Sequence, residues 1–525
     1  MECSLLNPDY CFLPYILHPE RSGVRLLPRH SAGNGVCFRE AQQTRQKRKG
    51  ANMRMQSLCA ILMICPVWAC SPAAEIQPKE APMKTLQVHP NGRFLCWQDG
   101  APFFYLGDTA WELFHRLNRE EADLYLGDRA AKGFTVIQAV VLAELNGLTD
   151  PNPYGHTPLE NLDPRRPSEA YFQHVDYIVN KAESLGLHIG MLPTWGDKWN
   201  RKWGAGPEIF TPENAEAYGE FLGRRYRERA IIWILGGDRP VENDNHRAII
   251  RAMAAGLRKG DGGRHLMTLH PCGQQHSAQY FHSEEWLNFN MCQTGHTFNR
   301  DNYRSIALDY ARQPVKPCLD GEPGYEDHPS GFKAENGYMD DAQTRRFAYW
   351  ALFAGALGHT YGCHDIWQFW QEGRKAKTAA RTPWKEALKL PGSAQVGYAR
   401  ALLESRPFFT RVPAQALLIK GPPPGPDYVA VTSDKDAQGK ATYILAYLPK
   451  PSEIVLNTSV IADKNLRVCW FDPRKGQAHK ADQVPNTGEF HAPVPPDQGD
   501  WVLVIDAASS DYPPPGKAGA KSSSP

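Results

Sequence analysis

The chain has 525 residues, 42% of them hydrophobic and 22% charged, which is the composition of a globular protein of two or three domains. A formal net charge of +2 removes the usual electrostatic reason to expect nucleic acid or an acidic membrane as partner. The 14 Trp and 21 Tyr are compatible with sugar binding, because flat rings stack on the apolar faces of sugars, and equally with filling a large core.

In chain order, residues 1–52 lack periodicity and contain the basic run RQKRKG (45–50); they are expected to be disordered, or an upstream stretch outside the natural product. Residues 53–74 read as a signal peptide. Arg54 precedes an apolar run, Leu58–Ala69, that is too short to span a bilayer and suits a secretory h-region. VWAC (67–70) resembles a bacterial lipobox with an atypical Trp68, which makes Cys70 a candidate for lipidation; cleavage near Ala73 or Ala74 is the alternative. Both imply export, to the periplasm or to the outer membrane and cell surface as a lipoprotein, with translation starting at Met53 or Met55. Beyond Cys70, the six cysteines form no CxxC pair, so no structural zinc is expected. Cys292, Cys318 and Cys363 fall in predicted strands, as small buried hydrophobes rather than bridges.

From residue 103 short apolar runs alternate with amphipathic helical segments. The predicted strands are 103–108, 134–141, 188–195, 231–238, 266–271, 289–295, 315–322 and 359–365. The helical segments between them include 119–133, 168–186, 211–229, 246–260 and 341–358, several with Ser, Thr or Asp near the start and Gly near the end. Eight such units predict an α/β fold, a (β/α)8 TIM barrel, over residues 85–410. The rival, an open doubly wound sheet, calls for a glycine-rich phosphate turn after the first strand, where this chain has GDTAWELF. A helical stretch at 383–405 follows. Residues 414–507 then change texture, to short alternating strands with polar turns, which predicts an antiparallel β-sandwich. The tail 508–525 is rich in Pro, Gly and Ser and is expected to be disordered.

Barrel strands end together on one face, where active sites are built. The fourth predicted strand, IIWILGGD, ends on Asp238, and the seventh, VKPCLDGE, ends on Glu322. Strands four and seven face each other across the mouth, and Gly236, Gly237 and Gly321 let a ligand approach the backbone. Two carboxyl groups on opposite walls are what glycoside hydrolysis needs, one protonated to assist the leaving oxygen and one ionised to attack carbon or activate water. Arg239 is a candidate for holding a neighbouring carboxylate ionised. The competing reading of each acid alone is a loop salt bridge.

FFYLGDTAWELFHRLNREEADLYLGDRAAKGFTVIQAVV (103–141), with LPTWGDKW, IIWILGGDRP and LDGEPGYE, resembles the apiosidase-like barrel of glycoside hydrolase family 140. The resemblance covers roughly residues 85–410, and the following sandwich is similar to a companion domain that carries a collagen-binding label. It implies an exported bacterial enzyme that cleaves apiose linkages in pectic side chains of the rhamnogalacturonan II type, with a plant cell-wall oligosaccharide or polysaccharide as partner. It further implies a retaining mechanism in which Asp238 is the general acid/base and Glu322 the nucleophile. The larger clan usually has Asn-Glu where this chain has Gly-Asp, whereas the apiosidase family itself uses Asp. A related furanosidase, for example on arabinofuranosides, and a non-catalytic carbohydrate-binding protein are the alternatives.

Further candidates for substrate binding surround the predicted mouth. After strand one stand Asp108, Trp111 and Glu112, Asp108 either binding hydroxyls or capping the next helix. Trp195 and Trp199 are stacking platforms or core residues. His270, Gln293 and His296 bind hydroxyls or orient Glu322, and Tyr325 donates to its carboxylate. Tyr361, His364 and Trp367 close the ring at strand eight. The histidines lack HExxH or similar tight spacing, so no metal or other cofactor is expected.

Overall fold

A computed structural model describes residues 85–517; the signal-like segment with Cys70 lies outside the described residues. All eight predicted strands are present: β1 (Tyr105–Thr109), β2 (Val136–Leu142), β3 (His188–Thr194), β4 (Ile231–Gly236), β5 (Met267–His270), β6 (Asn290–Gln293), β7 (Cys318–Asp320) and β8 (Gly358–Tyr361). β8, β1, β2, β3, β4 and β5 pair in parallel in that order, and β6 pairs in parallel with β7. The two seams close through a few bonds. The Asn288 amide donates to the Met267 carbonyl (2.8 Å) and the Leu357 amide to that of Cys318 (2.9 Å). The result is a (β/α)8 barrel followed by antiparallel sheets.

The near-continuous apolar strands follow from burial on both faces. Along β2, Val136 and Val140 fill the barrel interior, while Ile137, Ala139 and Val141 pack under the helices. A small antiparallel sheet (Leu86–Val88, Leu95–Trp97, Pro102–Phe103) adds Leu86, Leu95 and Phe103 to that interior cluster.

The principal helices are α1 (Arg119–Ala131), α2 (Glu169–Ser184), α3 (Pro212–Tyr226), α4 (Asp244–Asp261), α5 (Asn302–Tyr310), α6 (Asp341–Phe353) and α7 (Gly392–Glu404). Capping boxes start three of them: Asn118 with Glu121, Thr211 with Asn214, and Asp340 with Gln343. α3 and α4 pack unusually closely because each offers glycines to the other. A Cβ on Gly223 would stand 2.4 Å from the Leu257 carbonyl oxygen, and one on Gly256 2.1 Å from that of Glu216.

The C-terminal part is two antiparallel sheets. The large one contains Arg411–Pro413, Ala430–Asp434, Tyr443–Leu448, Trp501–Ala507 and Asn465–Asp472, and the small one Leu418–Lys420, Val455–Asn457 and Glu489–His491. The large sheet is buried on both faces. Ile444, Ala446, Leu503 and Ile505 face the small sheet, while Tyr443, Leu445, Tyr447, Val502 and Val504 join the cluster under the barrel helices. Tyr349 of α6 stacks on Tyr447 with centroids 4.6 Å apart, and Arg345 binds both oxygens of Asp500 at 2.9 Å. The start of the tail departs from the expected disorder: the Arg467 guanidinium donates to the Tyr512 carbonyl (2.5 Å), and Arg406 lies over the Tyr512 ring.

Candidate active site

β4 stops at Gly236 and β7 at Asp320, so both acids stand two residues beyond their strands, on the loops, where the sequence had placed them within the strands. The GGD turn explains the composition there. Gly236, Gly237 and Asp238 have φ of +92°, +104° and +50°, three left-handed residues in succession. A Cβ on Gly236 would stand 2.3 Å from the His270 carbonyl oxygen, and one on Gly237 2.7 Å from the Gly196 nitrogen. The turn is thus threaded between the loops after β3 and β5, and it turns the next side chain into the barrel mouth. Asp tolerates the left-handed region better than most residues.

Asp238 and Glu322 line one cavity of about 450 Å³. Its other walls include Trp111, Trp195, Gln293, His296, Tyr325, His364 and Trp367, all expected from the sequence. Unpaired buried polar atoms in these walls, namely Trp195 Nε1, Gln293 Oε1, His296 Nδ1 and the Tyr325 hydroxyl, are ones that a hydroxyl-rich ligand satisfies.

Glu322 sits between two imidazoles. His296 Nε2 hydrogen-bonds its Oε1 at 2.9 Å, and His270 Nε2 lies 2.9 Å from its Oε2, out of line for a good hydrogen bond. The Asp238 amide donates to His270 Nδ1 (3.3 Å), which leaves Nε2 as the ring nitrogen that carries a proton toward Glu322. Burial opposes ionisation of Glu322, but His270 and His296 outweigh it and hold the carboxyl down at about 2. Asp238 has the opposite balance. Burial first, then the Glu322 charge, push it up to about 6 against the pull of Arg239, His270 and a Gln293 hydrogen bond. Between these two values Asp238 carries a proton while Glu322 is ionised, the division of labour glycosidases use.

Arg239 is buried outside the cavity lining and braces Asp238 from behind, its Nη1 donating to the Asp238 carbonyl (2.7 Å) and Oδ2 (3.2 Å). His270, equally buried, acts through Glu322 and supports Trp111, edge to face at 5.3 Å. His364 Nε2 donates to the carbonyls of Lys377 (3.1 Å) and Thr378 (2.8 Å), and its Nδ1 accepts from Trp367 (3.2 Å).

Four expected binding residues lie elsewhere. Asp108 shares the outer face of β1 with Leu106, since side chains alternate along a strand; there its Oδ2 accepts from Tyr125 and Arg129 of α1, both at 2.5 Å. It neither lines the cavity nor caps a helix. Tyr361 occupies the outer face of β8 for the same reason, donating to Glu326 (2.5 Å). Glu112 is buried against His115 (2.6 Å) and the Leu145 amide (3.1 Å). Trp199 is turned by the short Gly196–Lys198 helix into the core, against His246.

The structure adds residues the sequence reading missed. Glu144, two residues past β2, and Trp203 and Lys377, from the loops after β3 and β8, line the catalytic cavity and also a neighbouring one of about 780 Å³. Trp203 is 57% exposed, with the Arg239 guanidinium 4.5 Å from its ring centroid. The larger cavity also presents Arg116, Arg374 and Lys375 against Asp150. Among the described residues, Arg374, Lys375 and Lys377 have no carboxylate within 4 Å. A group with ligand-type side chains, His276, Cys292 and Asp309, is buried away from the cavity, and there Asp309 is engaged by His276 (2.9 Å) and Arg312 (3.0 Å).

A (β/α)8 barrel with paired, oppositely tuned carboxyl groups at the ends of its fourth and seventh strands defines a glycoside hydrolase. Residues 89–410 match the family described as "Apiosidase-like, catalytic domain", and the chain belongs to that family. Residues 412–506 match a "Putative collagen-binding domain of a collagenase". A solved structure named as a glycoside hydrolase is 33% identical, over 82% of this chain and 98% of its own, with a TM-score of 0.72. The crystal structure of a glycoside hydrolase family 5 protein from Bacteroides vulgatus is 32% identical, over 83% of this chain and 96% of its own, with a TM-score of 0.73. No curated protein matches the chain significantly.

Proposed function

We propose that this glycoside hydrolase cleaves apiose linkages in pectic side chains by double displacement. Asp238 protonates the leaving oxygen while Glu322 attacks the anomeric carbon to form a glycosyl ester. Water then enters, gives its proton to Asp238 and releases the sugar from Glu322. The observation that carries the mechanism is the opposite tuning of the two carboxyl groups in one cavity. The family description supports apiose as the sugar. The cationic cleft around Arg374, Lys375 and Lys377 supports an acidic polysaccharide as the chain that bears it. The apolar run before Cys70 supports an exported, bacterial enzyme, released to the periplasm or held at the membrane by a lipid anchor.

The test is incubation of the protein with an acidic pectic oligosaccharide that carries apiose, followed by chromatography of the released sugars. Free apiose is the expected product. Release of arabinose or another pentose with no apiose would overturn the sugar assignment and favour the related furanosidase.

A further inference from the structure

We propose that the larger cavity holds the leaving-group sugar, with Trp203 as the platform for its ring and Glu144 as the hydrogen-bond partner of one of its hydroxyls. The inference rests on the reading of Asp238 as the proton donor and names the residues that take the sugar on its side of the broken bond.

Glu144, Trp203 and Lys377 border both cavities and so mark where one passes into the other. That junction lies beside the proton donor. Arg239 has Nη1 3.2 Å from Asp238 Oδ2 and Nη2 3.6 Å from Glu144 Oε1, and its guanidinium stands 4.5 Å from the Trp203 ring centroid. Neither Glu322 nor its imidazole partners reach the larger cavity. A proton donor faces the leaving oxygen while the nucleophile attacks the anomeric carbon from the opposite side. A chain that departs past Asp238 therefore meets Glu144 and Trp203 first.

Trp203 is held without being covered. Arg239 lies over its ring, yet the residue is 57% exposed. The loop around it is pinned: the Gly206 amide donates to Asp197 Oδ2 (2.8 Å), the Arg201 amide to Glu208 (2.7 Å), and Lys202 pairs with Glu242 (2.6 Å). A Cβ on Gly204 would stand 2.2 Å from that of Asp197 and 2.6 Å from Arg239 Nη2, so glycine is what lets the loop bring the indole down onto the guanidinium. An exposed tryptophan on a fixed backbone is a preorganised surface for the apolar face of a sugar ring.

Glu144 is 8% exposed, and among the described residues its carboxyl accepts no hydrogen bond, its nearest cation being Arg239. Burial first, opposed by Arg239, pushes it up to about 7. Below about 6, where Asp238 keeps its proton, Glu144 is therefore neutral too, with one O–H to donate and a carbonyl to accept. A desolvated polar group without a partner is costly, and a sugar hydroxyl supplies the partner. A neutral Glu144 also leaves the charge of Arg374, Lys375 and Lys377 undiminished for an acidic chain beyond it.

The test compares an acidic pectic oligosaccharide that the full-length wild type cleaves with the glycosyl fluoride of the sugar it releases, whose leaving group fills no subsite. In Trp203→Ala, kcat/KM should fall about tenfold more on the oligosaccharide than on the fluoride. The spent oligosaccharide, purified from a wild-type digest, reads the same subsite without catalysis. Its Kd, by calorimetric titration, should rise about three- to tenfold in Trp203→Ala and in Glu144→Ala. Trp203→Phe and Glu144→Gln should recover part of that loss, and they carry the test if an Ala variant does not fold. Equal losses on both substrates, or an unchanged Kd, would overturn the proposal. Asp238→Ala separates the two ideas, because fluoride departs without a proton from the enzyme. If its kcat/KM falls equally on both substrates, the reading of Asp238 has failed; if it falls on the oligosaccharide alone while the Trp203 and Glu144 variants bind the spent oligosaccharide as the wild type does, only the subsite has failed.

Discussion

At the scale of single residues, the site depends on two carboxyl groups whose surroundings drive them apart. Glu322 has imidazoles at 2.9 Å on both oxygens, whereas for Asp238 burial and a neighbouring anion prevail over Arg239, His270 and Gln293. The active form has Asp238 protonated and Glu322 ionised. Activity should therefore rise as pH passes upward through about 2 and fall as it passes through about 6, giving a bell with an acidic optimum in a kcat/KM profile. A flat profile from pH 4 to 9 would contradict this. The two acids were legible in the sequence because barrel strands end on one face and each acid follows a glycine there. Asp108 and Tyr361 were misread because the sequence reading took every strand-end polar residue as facing the mouth, while alternation sends each second one to the helix layer, where Arg129 and Glu326 receive them. Glu144 followed a predicted strand by three residues and the same rule would have found it; Trp203 lies in an irregular loop that no periodicity marks.

At the scale of elements, every barrel strand was legible from composition, since burial on both faces demands apolar runs. The strand ends were not, because the GGD turn continues the apolar run into a loop without a break in pattern. The small sheets at either end were legible only in part, as strands of two or three residues carry too little pattern. Close packing of α3 on α4 gives a sharper prediction. Gly256→Ala brings a methyl group to 2.1 Å from the Glu216 carbonyl oxygen, so the helices must part. Denaturant titration should show a loss of about 1–3 kcal/mol, whereas Gly133→Ala, with open space around it but φ of +83°, reports backbone strain alone. Equal stability of Gly256→Ala and wild type would mean that the helices sit farther apart than described.

At the scale of the whole molecule, the barrel and the sandwich share one hydrophobic cluster, and Arg345–Asp500 and Arg406–Asp506 are bidentate pairs buried between helices and sheet. The sequence read these as successive domains, because an inner sheet face looks the same whether it meets another sheet or a helix. Calorimetry should therefore show one cooperative transition for the described region, and Arg345→Ala, which leaves Asp500 buried without its partner, should cost roughly 3–5 kcal/mol. Two well-separated transitions would contradict a shared core. The function of the assembled molecule still comes down to which carboxyl group does what, and azide rescue reports that most directly. On an aryl glycoside that the wild type hydrolyses, Asp238→Ala with azide should regain turnover and yield the glycosyl azide with retained configuration, while Glu322→Ala with azide should yield the inverted one. The reverse pattern, or rescue of neither variant, would contradict the assignment of Asp238 as proton donor and Glu322 as nucleophile.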